Sequence, residues 1–294
     1  MPTLPRPALD PCRRSDRSWV AGLAAAAVLF SGCAQVPPAN LGPNALSHDI
    51  AVPAPPARAV AAANIQADRS SAKKSPSATP KPPKKRTTTA IAKVNCRKKK
   101  CIALTFDDGP GPFTKKLLAT LARTHVRATF FMLGKQVHRY PKVARAVAVA
   151  GHSIGVHTWD HRSLPLLSNA RIAWEINSTV RIIKKVTKTT PDLLRPPYGA
   201  TNSRVALAAK RAHLGIALWN VDTLDWKYRN SARVTAAAVR DTRRGSIILV
   251  HDIHPTTVAA IPSVIERLRR KGYTFVTVEQ LVGKPKPGQR YRHG

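Results

Sequence analysis

The chain has 294 residues, 43% of them hydrophobic, with 49 Lys and Arg against 15 Asp and Glu and a formal net charge of +34. The charge is uneven: residues 1–68 carry a net +1, residues 69–100 a net +12 without one acidic side chain, and residues 101–294 a net +21. This excludes an acidic, halophile-type surface, and the Val, Ile, Leu and Ala content after residue 100 excludes a fully disordered chain, so one globular domain is expected behind a long tail.

Arg13, Arg14 and Arg17 precede an uncharged stretch over residues 18–34, the arrangement of the n-region and h-region of an export signal. The stretch runs into Leu29-Phe30-Ser31-Gly32-Cys33, which resembles the lipobox of bacterial lipoproteins although Phe30 departs from the usual small or Leu residue. Residues 1–33 are therefore read as an export signal with Cys33 as the lipidation site, and a plain signal peptide or an uncleaved anchor is the alternative. The expected location is outside the cytoplasmic membrane, as an anchored lipoprotein facing the cell wall or else secreted. Nucleic acid, the first partner suggested by so basic a chain, is disfavoured by export.

Residues 34–95 are dominated by Ala, Pro, Ser, Thr and Lys without a helical or strand period, and read as a disordered linker. Its basic half suits an anionic wall polymer or a membrane surface, or serves as a solvated spacer. Cys96 and Cys101 flank Arg97-Lys98-Lys99-Lys100. In an oxidising compartment the two could close a small disulfide loop, with two free thiols as the alternative. Their spacing fits neither a zinc knuckle nor a CxxC redox pair.

From Cys101 onward short β-rich runs alternate with helical segments. Strands are expected at 102–106, 128–132, 153–156, 193–195, 215–219, 246–250 and 274–278, with helices at 114–125, 141–150, 169–185, 203–212, 232–241 and 255–271. Such alternation implies an α/β fold, a (β/α) barrel of about seven parallel strands, with chemistry at the strand C-terminal ends. Polar residues fall there: Asp107 and Asp108 after the first strand, His157 and His161 after the third, Arg195 at the fourth, Asp222 and Asp225 after the fifth, His251 after the sixth. Residues 96–284 make the catalytic domain in this reading and 285–294 a basic tail.

His157 and His161 are four apart, so on a helical turn both imidazoles would face one metal ion, with a carboxylate from elsewhere completing an open site. The adjacent Asp107 and Asp108 allow one carboxylate to ligate while the other faces substrate as a base.

TFDDGP (105–110), HTWDH (157–161), RPPYG (195–199), DTLDW (222–226) and LVH (249–251) resemble the five ordered motifs of the polysaccharide deacetylase family, carbohydrate esterase family 4, also called the NodB-homology domain. The resemblance covers roughly residues 96–280. It implies a distorted (β/α) barrel and a divalent metal, usually zinc, that serves removal of acetyl groups from N- or O-acetylated sugars. Carried onto this sequence, it makes Asp108, His157 and His161 the metal ligands and Asp107 the general base, oriented by Arg195. It makes the Tyr198 backbone N–H an oxyanion donor and His251 the general acid, supported by Asp225, with Trp226 and Leu249 walling the acetate pocket. His152, Asp252 and His254 are expected to play supporting roles.

Peptidoglycan N-acetylglucosamine is the favoured substrate for a basic, tethered enzyme beside an anionic wall, with chitooligosaccharide and acetylated xylan as alternatives. Two other classes are alternatives. Gly151-His152-Ser153-Ile154-Gly155 spells GxSxG, and Ser153, Asp225 and His251 follow the order of an α/β-hydrolase triad. That nucleophile elbow needs a strand before the Ser and a helix after it, the reverse of the pattern here. A non-catalytic protein that docks on wall polymer is the other, disfavoured by the intact Asp, His and Arg set.

Overall fold

A computed structural model describes residues 94–294. The segments 1–33 and 34–93, including Cys33 and most of the expected linker, lie outside the described residues. In chain order the elements are β1 (Lys100–Asp107), α1 (Thr114–Arg123), β2 (Thr129–Met132), α2 (Gly134–Arg139), α3 (Pro141–Val149), β3 (Ser153–Val156), α4 (Asn169–Thr187), β4 (Leu193–Leu194), α5 (Ser203–Arg211) and β5 (Gly215–Ala217). They continue with β6 (Val221–Asp222), α6 (Asp225–Tyr228), α7 (Ser231–Asp241), β7 (Ile247–His251), α8 (Pro255–Arg270), β8 (Tyr273–Val276), α9 (Val278–Val282) and β9 (Arg290–Tyr291). No helix among the described residues is long and apolar enough to cross a membrane.

The strands form one curled, half-barrel sheet in the order β6-β7-β1-β2-β3-β4-β5-β9, and every ladder in it is parallel. β8 pairs with β1 over Lys100 to Ala103, and β7 takes over the same edge from Ala103 to Asp107. All seven expected strands are present. The two-residue β6 and β9 are too short to show a period in sequence. Residues 285–294, expected as a basic tail, contribute β9, which pairs with β5 through Ile216 and Ala217.

Strand alternation divides the side chains between two environments. Ile102, Leu104 and Phe106 of β1 join Phe130, Met132, Ile248 and Val250 in the large core beneath the helices. Ala103, Phe131, Leu193, Ala217 and Ile247 form a smaller cluster on the concave face. Continuing that second column by twos along the strands brings Thr105, Asp107, His157, Arg195, Leu249 and His251 to the concave face at its C-terminal end. Gly155 belongs to the same column, and a Cβ there would lie 2.4 Å from the Phe131 ring. Only glycine fits without displacing an aromatic ring buried in the wall of the site.

Helix ends are fixed locally. Ser168, Asn202 and Asn230 accept backbone N–H bonds from Arg171, Val205 and Arg233 at the starts of α4, α5 and α7, and Thr277 with Gln280 forms a capping box on α9. Cys96 and Cys101 are joined in a disulfide that closes the loop before β1.

Candidate active site

β1 ends in Asp107, and Asp108 follows with φ 70°. That left-handed backbone, tolerable for Asp, turns two adjacent carboxylates to different partners. Asp107 Oδ1 accepts from Arg195 Nη1 at 2.8 Å, whereas Asp108 Oδ1 faces His157 Nε2 at 3.3 Å and His161 Nε2 at 3.4 Å.

Arg195 has no exposed surface. Its guanidinium donates to Asp107, to Thr105 Oγ1 at 2.7 Å, to the Ala217 carbonyl at 3.1 Å and to the Leu218 carbonyl at 3.0 Å, and lies 4.1 Å from the Phe131 ring centre. These four bonds engage all three nitrogens of the planar fork, so the charge is paired and the geometry fixed. Burial pulls its pKa below the ordinary value, and Asp107 opposes that shift.

His157 follows β3, and its Nδ1 lies 2.6 Å from the Arg195 carbonyl. A carbonyl only accepts, so Nδ1 carries a proton and Nε2 is the atom turned to the carboxylates, the one that would ligate a metal. Burial lowers the pKa of this imidazole, but Asp107 and Asp108 outweigh it and raise it. His161 does not reach the site on a helical turn as the spacing suggested. Residues 157–163 form an irregular loop in which Thr158 and His161 both have φ 68°, and the His161 N–H donates to Thr158 Oγ1 at 3.2 Å. The loop is held from behind by Glu175 of α4, whose Oε2 accepts from the N–H groups of Trp159 at 2.8 Å and Asp160 at 3.3 Å.

Asp108, His157 and His161 each offer a ligand atom, all within 4.8 Å of one another. Asp108 Oδ1 is buried without a hydrogen-bond partner, an orphan that a cation would satisfy. A carboxylate with two imidazoles, one fixed in the ligating tautomer, is the donor set of an open divalent metal site. Burial opposes ionisation of Asp108, but the imidazoles around it prevail and hold its carboxyl well below the usual range.

Across the site, Asp225 is fully buried at the start of α6. Its Oδ1 lies 2.8 Å from His251 Nδ1, and its Oδ2 accepts from the His251 N–H at 2.8 Å and Thr257 Oγ1 at 2.7 Å. Burial works against the charged imidazole of His251, yet the Asp225 carboxylate outweighs it and raises the pKa to about 9. Asp225 is itself held below the ordinary range by His251 and Thr257, against its burial.

Tyr198 lies in a 3₁₀ turn after β4 with φ 60°, its exposed ring edge-on to His161 at 4.8 Å. Leu249 is buried two residues before His251 on the same face of β7, whereas Trp226 is half-exposed beside Asp225. Asp222 closes a local turn by accepting from the Leu224 N–H at 2.9 Å. Ser153 begins β3 at the opposite end of the sheet and donates to Glu279, so it assembles no triad with Asp225 and His251. His152 is buried against Phe130, accepting from the Ala128 N–H, and burial with Arg127 nearby lowers its pKa to about 4.

Sequence reasoning missed Glu175, Thr105 and Thr257. Glu175 had a signal: it shares the apolar stripe of α4 with Ile172, Ile176 and Thr179, and a carboxylate on a core-facing stripe must find buried donors.

The family profile described as polysaccharide deacetylase matches residues 94–217. A peptidoglycan-N-acetylglucosamine deacetylase of Bacillus cereus is 36% identical over 200 residues, which are 66% of this chain and 90% of that protein. The chain belongs to the polysaccharide deacetylase family. The peptidoglycan-N-acetylglucosamine deacetylase PgdA of Listeria monocytogenes is 42% identical over 202 residues, covering 68% of this chain and 42% of that longer protein. Among solved structures, a T48 deacetylase with substrate is 42% identical with a TM-score of 0.65, over 67% of this chain and 99% of that one. These matches agree with the resemblance carried by the five motifs.

Proposed function

We propose that the protein is a metal-dependent deacetylase that hydrolyses acetyl groups of N-acetylated polysaccharide, with peptidoglycan N-acetylglucosamine as its substrate. The observation that carries this reading is two largely buried pairs, Asp107 with Arg195 and His251 with Asp225, beside the Asp108, His157 and His161 cluster. The names of the Listeria and Bacillus relatives support the choice of polymer.

Asp108, His157 and His161 would hold the divalent ion, zinc in this proposal. When bound, it supplies Lewis-acid polarisation to the acyl carbonyl and to the attacking water. Asp107, held in place by the Arg195 fork, takes the proton from that water as its oxygen joins the acyl carbon. The Tyr198 N–H is the candidate donor to the developing oxyanion. His251, charged through Asp225, gives its proton to the sugar nitrogen as the C–N bond breaks, leaving free amine and acetate. Leu249 and Trp226 are assigned to the wall around the acyl group.

Export through residues 1–33, lipidation at Cys33 and a spacer role for residues 34–95 belong to the same proposal. They set such an enzyme beside its polymer.

The test is acetate release from peptidoglycan, chitin oligomers and acetylxylan, with the protein metal-stripped and then reloaded with zinc. Release from peptidoglycan that disappears on stripping and returns on reloading is expected. No release from any polymer by metal-loaded, folded protein would overturn the deacetylase reading, and release from acetylxylan alone would overturn the substrate.

A further inference from the structure

The strand N-terminal ends, at the pole opposite the candidate site, carry a different chemistry. The segments leading into β1, β2, β7 and β8, at residues 95–100, 123–127, 242–246 and 267–272, together hold twelve Lys and Arg and no Asp or Glu. Eleven of the twelve are exposed and Arg127 is half-buried. These strands are neighbours, with β8 and β7 sharing one edge of β1 and β2 on the other.

The segments are also tied together. Gly245 donates its N–H to the Cys101 carbonyl at 2.8 Å, and the Arg244 guanidinium reaches the carbonyls of Cys96 at 2.8 Å and Arg97 at 2.6 Å. With β2 on one edge of β1 and β8 and β7 on the other, the ends span two strand spacings, a face about 10 Å across. Between them lies a cleft of about 350 Å³ lined by Val94, His125, Arg127, Arg269 and Tyr273 among others, a size and charge that suit a phosphate-bearing headgroup.

The acidic residues lie mainly elsewhere. Asp107, Asp108, Asp160, Asp222, Asp225 and Asp252 all stand at strand C-terminal ends or in the loops beyond them. Asp192 and Glu279 flank the basic pole on its β3–β4 side, and Asp241 and Glu266 border two of the basic segments, Glu266 pairing with Arg270. The domain is thus electrically polarised along the strand direction, and an anionic surface would orient it.

We propose that this basic pole docks on an anionic phospholipid bilayer and holds the domain with its active site facing away from the membrane. A bilayer fits better than a single polymer strand because four separate strand ends spread the cations over a face instead of along one track. The covalent route points the same way. The chain reaches the domain at Val94, on the cleft, after residues 69–93 with eight Lys and Arg and no acidic residue. The cellular setting rests on the export reading, whereas docking itself is a property of the folded surface and is measured without export.

The experiment measures binding of the full chain to phosphatidylglycerol and to phosphatidylcholine vesicles, for the wild type and for a variant carrying Lys98→Glu, Lys99→Glu and Arg243→Glu. Wild-type protein is expected to prefer phosphatidylglycerol by about tenfold or more, with the preference falling as salt rises. The variant should lose most of it while releasing acetate from soluble chitooligosaccharide within about twofold of wild type. Hydrogen exchange on phosphatidylglycerol vesicles should slow in residues 95–101 and 268–274 and stay unchanged in residues 157–163. An unaltered preference in the variant, protection at residues 157–163 instead, or equally tight binding of soluble polyphosphate would each overturn the proposal. Failure of acetate release in every form would concern the deacetylase reading and not the docking face.

Discussion

Asp107 and His251 are register partners on adjacent parallel strands, β1 and β7. In-register residues of neighbouring strands face the same side of a sheet, so the proposed base and acid stand side by side on the concave face, each backed by its own buried partner. Arg195 fixes the first and Asp225 the second.

The acid side sets the alkaline limb of activity. His251 must be protonated, and its pKa is raised to about 9 by Asp225 against burial, so activity is retained below that value and lost as pH rises through it. A bound divalent ion opposes the imidazolium, so the limb is expected at or somewhat below about 9. Asp225→Asn removes the supporting charge and should move the limb toward the ordinary imidazole value while cutting turnover by about a hundredfold or more. Metal content should not change. A limb that stays in place in a metal-loaded variant would separate His251 from the acid role.

The metal ligands are tested by content instead of rate. His157→Ala or His161→Ala leaves two donors, and either variant should lose most bound zinc after dialysis, read by elemental analysis. Ser153→Ala, at the other end of β3, should keep both zinc and turnover. A folded Ser153→Ala protein without turnover would revive the serine-hydrolase reading.

How much of this was legible in the sequence depended on the length scale of the signal. Strands such as Ile102 to Phe106 announce themselves by β-branched and aromatic runs, and the catalytic residues stand directly after them. The two-residue β6 and β9 have no such run. The approach of His161 through a left-handed loop is also hidden, because a four-residue spacing is equally compatible with a helical turn. The loop depends on Glu175, more than a dozen residues downstream, and that contact exists only after α4 packs.

Glu175 therefore carries a prediction of its own. Glu175→Ala removes the acceptor of the partly buried N–H groups of Trp159 and Asp160, at a cost of about 1–3 kcal/mol for the pair. It should also weaken zinc binding by about tenfold or more, through loss of the His161 position. Glu175→Gln keeps an acceptor and should lose less on both counts. Unchanged zinc affinity in the alanine variant would show that His161 holds its place without this support.

Residues Cys96 and Cys101, joined five positions apart, close a loop at the pole opposite the catalytic cluster. For so small a loop the chain-entropy model gives about 2 kcal/mol of stabilisation. The double replacement by Ser should lower the denaturant midpoint accordingly and leave kcat/KM on soluble substrate unchanged. A large loss of kcat/KM in folded protein would mean that this loop reaches the site.

Asp252 gives the last prediction. It is fully buried directly under the β1–α1 loop: a Cβ on Gly109 would fall 2.3 Å from its Oδ1. Its Oδ2 accepts from Thr114 Oγ1, which in turn accepts from the Gly111 N–H at 2.8 Å, and Oδ1 has no partner. Burial raises its pKa to about 7, aided by the Asp108 charge and opposed by the Thr114 bond. In the unfolded chain the group ionises near 3.8. Between those values the folded state binds more protons than the unfolded one, so this group makes stability fall as pH rises from about 4 to about 7 and level off above. Asp252→Asn mimics the neutral acid and keeps an acceptor for Thr114, so it should match wild type near pH 4. By pH 8 it should exceed wild type by an amount on the order of a few kcal/mol. Unfolding midpoints of zinc-loaded protein at the two pH values decide the matter. An Asn variant whose stability differs from wild type by the same amount at both would mean that Asp252 does not change protonation on folding.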